Sequence, residues 1–200
     1  MVASQYISKV DEHLDSLMNQ RDSIKKAGNT IALAALDGKK VYVMDRYGIL
    51  DAELVEHSSG LMLFRSYKTH GKAMKSEDIF ILSAYHTEDQ NDMNLLNNAR
   101  SLGATVITIS PEGQLSRAAD ISLINYDDGS NGVITVTGIQ KSFCPVSGIM
   151  NAALAWSLAA EIVETLLSKG EIPTVYWGRY LKGGREKNSE ARKRYLSLGY

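Results

Sequence analysis

The sequence predicts an α/β fold, a three-layer sandwich in which a mainly parallel central sheet is flanked by helices. Two observations predict it. Short runs such as Val41-Tyr42-Val43-Met44, Ile79-Phe80-Ile81-Leu82 and Thr105-Val106-Ile107-Thr108-Ile109 lack the alternation of a half-exposed strand, as parallel strands buried on both faces do. Segments with apolar residues at helical spacing separate these runs, and parallel strands need such crossovers. The 200 residues, 44% hydrophobic and 22% charged, suffice for one core. One domain over 1–200 is expected, with N-terminal helices over 1–36 and a tail over 171–200.

In chain order, Tyr6, Val10, Leu14 and Leu17 recur at helical spacing, and Ile24, Ala27, Ile31, Ala35 and Leu36 do so after a polar patch, predicting two helices or one bent one. Asp37-Gly38 ends them, and Val41–Met44 is the first strand. Leu50–His57 returns to helical character, Gly60 stops it, and Leu61–Phe64 reads as a second strand. A polar loop or short helix spans 65–77. Strands at Ile79–Leu82 and Thr105–Ile109 flank a helix through Met93, Leu96 and Ala99. Ile121–Ile124 and Val133–Val136 are expected to extend the sheet, as a possible hairpin across the Asp127–Gly132 turn. Ile149–Leu167 is a helix apolar almost all round, as in a core or a subunit interface.

Composition excludes several functions. Lys and Arg total 22 against 23 Asp and Glu, a net charge of −1, so no excess of positive charge exists to neutralise nucleic-acid phosphates or an acidic membrane. The single Cys144 rules out an intramolecular disulfide and a Cys-rich zinc site. The four His residues lack metal-ligand spacing, so no metal is expected. Met1–Asp11 has neither a basic start followed by an apolar run nor a cleavage site, and no segment reads as apolar for long enough to span a bilayer. A cytoplasmic protein is expected.

In an open parallel sheet, ligands gather beyond the carboxyl ends of the strands, near helix N-termini. Three loops qualify: Asp45-Arg46-Tyr47-Gly48, the stretch from Ser83 through Tyr85, His86 and Thr87 to Asp89, and Ser110-Pro111-Glu112-Gly113. Arg46 is the candidate cation for a phosphate, and Gly48, Ser83, Tyr85, Thr87 and Ser147 are candidate ligand contacts. The structural alternative is that Ser83 ends a strand while Thr87 or Asp89 caps the following helix. For proton transfer, Glu53 and His57 lie one turn apart and His86 sits in the second loop; the alternative is an exposed helix pair and a loop histidine. Neither a dinucleotide fingerprint, a P-loop nor a GxSxG elbow occurs.

The order of parts resembles a sugar isomerase (SIS) domain. The most specific stretches are Asp127-Asp128-Gly129 with Val133–Gly138, Cys144-Pro145-Val146-Ser147-Gly148, the long helix with Glu161, Gly170 with Pro173-Thr174-Val175-Tyr176, and Gly183-Gly184 with Asn188. They resemble an uncharacterised SIS branch assigned as phosphosugar or phosphoheptose isomerases, and Glu53–Leu61 resembles the family's first helix. The contact loops depart from the family pattern. Asp45-Arg46-Tyr47-Gly48 stands for a Gly-x-Gly-x-Ser stretch, and only Ser83 remains of Ser-x-Ser-Gly. Met150-Asn151-Ala152-Ala153 replaces a Gln-Glu-x-x-His-like stretch, while Gly178 and Tyr180 replace a Ser and an Asn.

The resemblance implies a phosphorylated sugar as ligand, no cofactor, and a homodimer or tetramer. It leaves two readings: a phosphosugar-binding, regulatory module that has lost turnover, or a cofactor-independent aldose–ketose isomerase with Glu53 as base and His86 or His57 assisting. A structural, dimer-forming protein is the third.

Overall fold

The computed structural model describes residues 1–86, 89–126, 132–178 and 180–197. Their strands are β1 (Val41–Asp45), β2 (Phe64–Ser66), β3 (Ile79–Ser83), β4 (Thr105–Ser110) and β5 (Ile121–Ile124). They form one all-parallel sheet in the order β2-β1-β3-β4-β5. The helices are α1 (Val2–Leu17), α2 (Arg21–Leu36), α3 (Tyr67–His70), α4 (Gln90–Ser101), α5 (Gln114–Ala118), α6 (Ser147–Ser168) and α7 (Gly184–Ser197). The helix expected over Leu50–His57 is a wide π-helical segment over Asp51–Glu56.

Strand parity divides the core. Val41, Val43, Ile81, Ile107, Ile109 and Leu123 point to one face and pack against α2 and α6. Tyr42, Phe80, Leu82 and Val106 point to the other, with Leu96 and Ala99 of α4 and Leu115 of α5. Both faces are therefore covered, which is why these strands carry no polar alternation. α2 crosses α6 at Gly28, where an added Cβ would stand 2.5 Å from the Cβ of Glu161.

Two sequence expectations about the sheet are corrected. The second strand begins at Phe64 and not at Leu61, because Leu61 pairs antiparallel with Val175 of the tail. The Met62 amide donates to the Thr174 carbonyl and the Tyr176 amide to that of Gly60, so the returning tail takes the backbone groups that a longer β2 would need. Val133–Val136 does not extend the sheet. Ile134 pairs with Phe143 in its own loop, and the outer edge of β5 is closed by Gln20, whose side-chain amide donates to the Ile124 carbonyl and accepts from its amide, both at 2.5 Å. A buried amide side chain thus blocks an edge that would otherwise offer unpaired groups. Of the turn expected over Asp127–Gly132, residues 127–131 lie outside the described residues.

A third correction concerns α6. By length and composition its 22 residues suffice to cross a bilayer, contrary to the sequence expectation. Met150, Leu154, Leu158 and Ile162 are completely buried in the core beneath the sheet, so packing accounts for its apolar character.

Candidate functional site

The site at the strand ends follows from the same parity that built the core. Where the apolar run of each strand stops, the next side chain on the α6 face is polar: Asp45 after Val43, Ser83 after Ile81, and Asn125 after Leu123. Asp45 and Ser83 are register partners on adjacent strands. All three are buried, and α6 brings the equally buried Asn151 against them. The Asn151 amide donates to Ser83 Oγ at 3.0 Å, and its Oδ1 accepts from Asn125 Nδ2 at 2.9 Å. Ser147, one turn earlier on the same face of α6 and also buried, stands toward the helix start.

Tyr85 joins this network from the second loop. Its hydroxyl donates to Asp45 Oδ2 at 3.2 Å, and Tyr47 meets its ring edge-on at 4.7 Å between centroids. Burial pushes the Tyr85 phenol up, and the Asp45 charge adds to the effect, against opposing hydrogen bonds from Asn151 and Ser83. The phenol therefore stays protonated and acts as a donor across the physiological range.

Asp45 also accounts for the departure of the first loop from a phosphate cradle. Its Oδ1 accepts from the Tyr47 amide at 2.9 Å and its Oδ2 from the Leu50 amide at 2.8 Å. The chain supplies its own anion to the backbone N–H groups that a bound phosphate would use. The second loop repeats this: Asp89 caps α4 by accepting from the amides of Asn91 and Asp92, and it binds Arg46 at 2.7 Å. Arg46 reaches Asp92 as well, at 2.9 Å. Hydrogen bonding to Arg46, followed by that to the Asn91 amide, holds the Asp89 carboxyl down to about 2. Burial instead raises Asp92, with Arg46 opposing it. Arg46, expected from sequence as the phosphate cation, is thus already engaged by two carboxylates.

Among the described residues, the start of α4 has Asp89 as its side-chain cap, whereas that of α6 has none. Its first turn abuts the first loop, since a Cβ on Gly148 would stand 3.1 Å from Ile49 Cδ1. Ser147 and the unpaired amides of an α-helix start therefore meet the Ser83–Asn151 network at the positive end of a long helix dipole.

Glu53 and His57 belong to a separate cluster. Glu53, half-buried, accepts from the Trp156 indole N–H at 2.8 Å, and His57 packs edge-on against the same indole at 5.3 Å. His57 is exposed and bonds the Ser58 carbonyl. His86 is exposed too, and Thr87 lies outside the described residues. The structure thus brings Ser83 and Tyr85 to the strand ends with Asn151 and Asp45, sets Ser147 one turn before Asn151 on α6, keeps Arg46 and Gly48 in the loop after β1, and places Glu53 and His57 around Trp156. Sequence reasoning did not select Asn125, Asn151 or Trp156. Parity held the signal for Asn125, which continues the Ile121–Leu123 face beyond the end of β5.

No family model matches the chain. A phosphoheptose isomerase from Francisella tularensis superposes on it with a TM-score of 0.59 at 14% identity, covering 81% of this chain and 96% of that one. One from Neisseria gonorrhoeae gives 0.60 at 10% identity, over 80% and 96%. The fold is the SIS fold. Among curated proteins, the chain is 19% identical over 233 aligned positions to a UPF0309 protein of Geobacillus thermodenitrificans, covering 96% of this chain and 94% of that protein. A UPF0309 protein of Caldanaerobacter subterraneus is 31% identical over 83 residues, 40% of this chain and 34% of its own. On this SIS scaffold, the strand-end loops carry internal carboxylate caps, Asp45 on the amides of Tyr47 and Leu50 and Asp89 on those of Asn91 and Asp92.

One consequence is directly measurable. Asp89→Asn keeps a good helix cap and removes one of the two charges on Arg46. Should a phosphorylated sugar bind at these strand ends, the variant is expected to hold it more tightly by roughly threefold or more and to leave binding of the unphosphorylated sugar unchanged. Calorimetric titration of both ligands checks this, and equal affinities in the variant and the parent would show that Arg46 does not meet the phosphate.

Proposed function

We propose that the protein is a phosphosugar-binding SIS module of regulatory character, one that reads its ligand and does not turn it over. The observation that carries this reading is the buried Ser83–Asn151–Asn125 network with Tyr85 and Asp45 at the strand ends. It is a set of oriented hydrogen-bonding groups suited to sugar hydroxyls, beside the uncapped start of α6 at Ser147 for an anionic group. Its carboxylate, Asp45, is held by two amides and a phenol, so it is a structural anion and not a free base. The phosphoheptose isomerases of the same fold support a phosphorylated sugar as the ligand class. The reading needs no cofactor.

The isomerase alternative rests on Glu53. A half-buried carboxylate shares one indole with His57, which would place a base and an acid within one ring width of each other. Turnover decides between them. A panel of aldose and ketose phosphates is expected to show no interconversion by the parent protein. Were turnover found, Glu53→Gln should reduce it about a hundredfold or more while leaving binding intact, and that result would establish the isomerase in place of the binding module.

The same reading places the protein in the cytoplasm as a homodimer or tetramer that binds neither nucleic acid nor membrane. The net charge of −1 supports the last part. Exposed Ile149 and Leu167 on α6, with exposed Trp177 and Tyr180 in the tail, support self-association, since exposed apolar side chains gain by being covered.

A further inference from the structure

The opposite face of β1 carries a second feature. Between α3, the turn of 3₁₀ helix at Gly71–Ala73 and the end of α4 lies a groove of about 720 Å³. Met44, Met74 and Leu102 form its apolar part, and Lys68, Thr69 and Lys72 its polar wall. Lys68, on α3, and Lys72, on the 3₁₀ turn that follows it, both line the groove. Lys72 is exposed and forms no ion pair among the described residues.

Behind Lys68 is an anomaly. The Asp51 side chain is only 13% exposed, and both of its carboxylate oxygens are buried without a hydrogen bond. Lys68 Nζ is 3.7 Å away, beyond hydrogen-bond distance, and makes only a long contact of 3.4 Å with the Arg46 carbonyl. A buried carboxylate without donors is costly, and in a folded protein such a group calls for an explanation.

We propose that this groove is a second binding site, separate from the strand-end network, for a phosphorylated small molecule that also carries a hydroxyl or ammonium donor. Lys68, Lys72 and the Thr69 hydroxyl hold the phosphate, and as Lys68 turns toward it the ligand's donor takes up the Asp51 carboxylate. Volume and composition fit a small molecule: the groove lies within the size range of such sites, apolar on one side with a few convergent polar groups. Met44 faces the α4 side of β1 and Asp45 the α6 side, so the groove opens on the other face of the sheet and approaches the first loop only where Lys68 meets Asp51 and the Arg46 carbonyl.

Amide NMR titration with inorganic phosphate, glucose 6-phosphate and glucosamine 6-phosphate tests the proposal and locates the binding. Saturable shifts are expected at 68–72 and at Leu102 with both hexose phosphates. Lys72→Glu should weaken all three probes at least about tenfold. Asp51→Asn should weaken the hexose phosphates and spare inorganic phosphate; if that variant fails to fold, Thr69→Val, exposed and harmless to the core, should weaken all three. Shifts confined to Ser83, Ser147 and Asn151 would overturn the groove site while supporting the strand-end one, and no shifts anywhere would overturn both. Parent affinity in Lys72→Glu would equally refute the groove.

Discussion

Replacing Asn151 with Leu is expected to lower the stability of the folded state by about 2–5 kcal/mol, although the two side chains are similar in size. Asn151 is completely buried, and it is the acceptor for Asn125 and the donor to Ser83. Leu removes both functions and leaves polar groups in the core without their partner. Asn125 Nδ2 also donates a long bond of 3.4 Å to the Ala84 carbonyl, a weaker contact than the one Leu removes. Urea denaturation measures the loss. A double-mutant cycle of Asn151→Ala with Asn125→Ala should show a coupling of about 0.5–3 kcal/mol. Additive effects would mean that the two amides are neighbours without being a network.

Gly28→Ala is expected to destabilise by about 1–3 kcal/mol, the usual cost of overpacking. The sign is the informative part. In an exposed helix interior the same change stabilises by roughly 0.5–1 kcal/mol, because Ala is the better helix former. Here the new methyl meets Glu161 Cβ at 2.5 Å and the Glu161 carbonyl carbon at 3.2 Å, and backbone cannot rotate away as a side-chain tip can. α2 and α6 would have to move apart, and with them the apolar layer under the sheet. A rise in thermal midpoint for Gly28→Ala would contradict the close crossing.

The fold was legible where one period dominated. Largely apolar runs mark β1, β3, β4 and β5 nearly to the residue, and the apolar surface of the helix from Ile149 marks α6, because burial on both sides leaves a plain pattern in sequence. Leu61–Phe64 and Val133–Val136 carry the same signal without being strands of the sheet over those bounds. Their backbone partners lie elsewhere, in the tail at Val175 for Leu61 and at Phe143 for Ile134. Local pattern records burial without recording the partner.

The site was less legible for a related reason. Ser83, Tyr85 and Ser147 stand in loops or at element ends, where sequence points to ligand contacts. Asn151 lies within an apolar helix and earns its place only through the register of α6 against β3. Arg46 illustrates the converse: its position was plain, but its pairing with Asp89 and Asp92, distant in sequence, required the loops to be folded. Glu53 and His57 share an indole from α6, 103 residues from Glu53 along the chain.

The most direct measurement is a calorimetric titration of a panel of sugar phosphates into the parent protein and into Ser83→Ala. Ser83 holds the centre of the network through one hydroxyl, and its loss should leave the fold intact. The proposed function predicts saturable binding of at least one sugar phosphate by the parent, weakened about tenfold, or roughly 1.4 kcal/mol, in the variant. No saturable heat with any member of the panel, or identical affinities in the two proteins, would contradict a sugar-reading site at the strand ends.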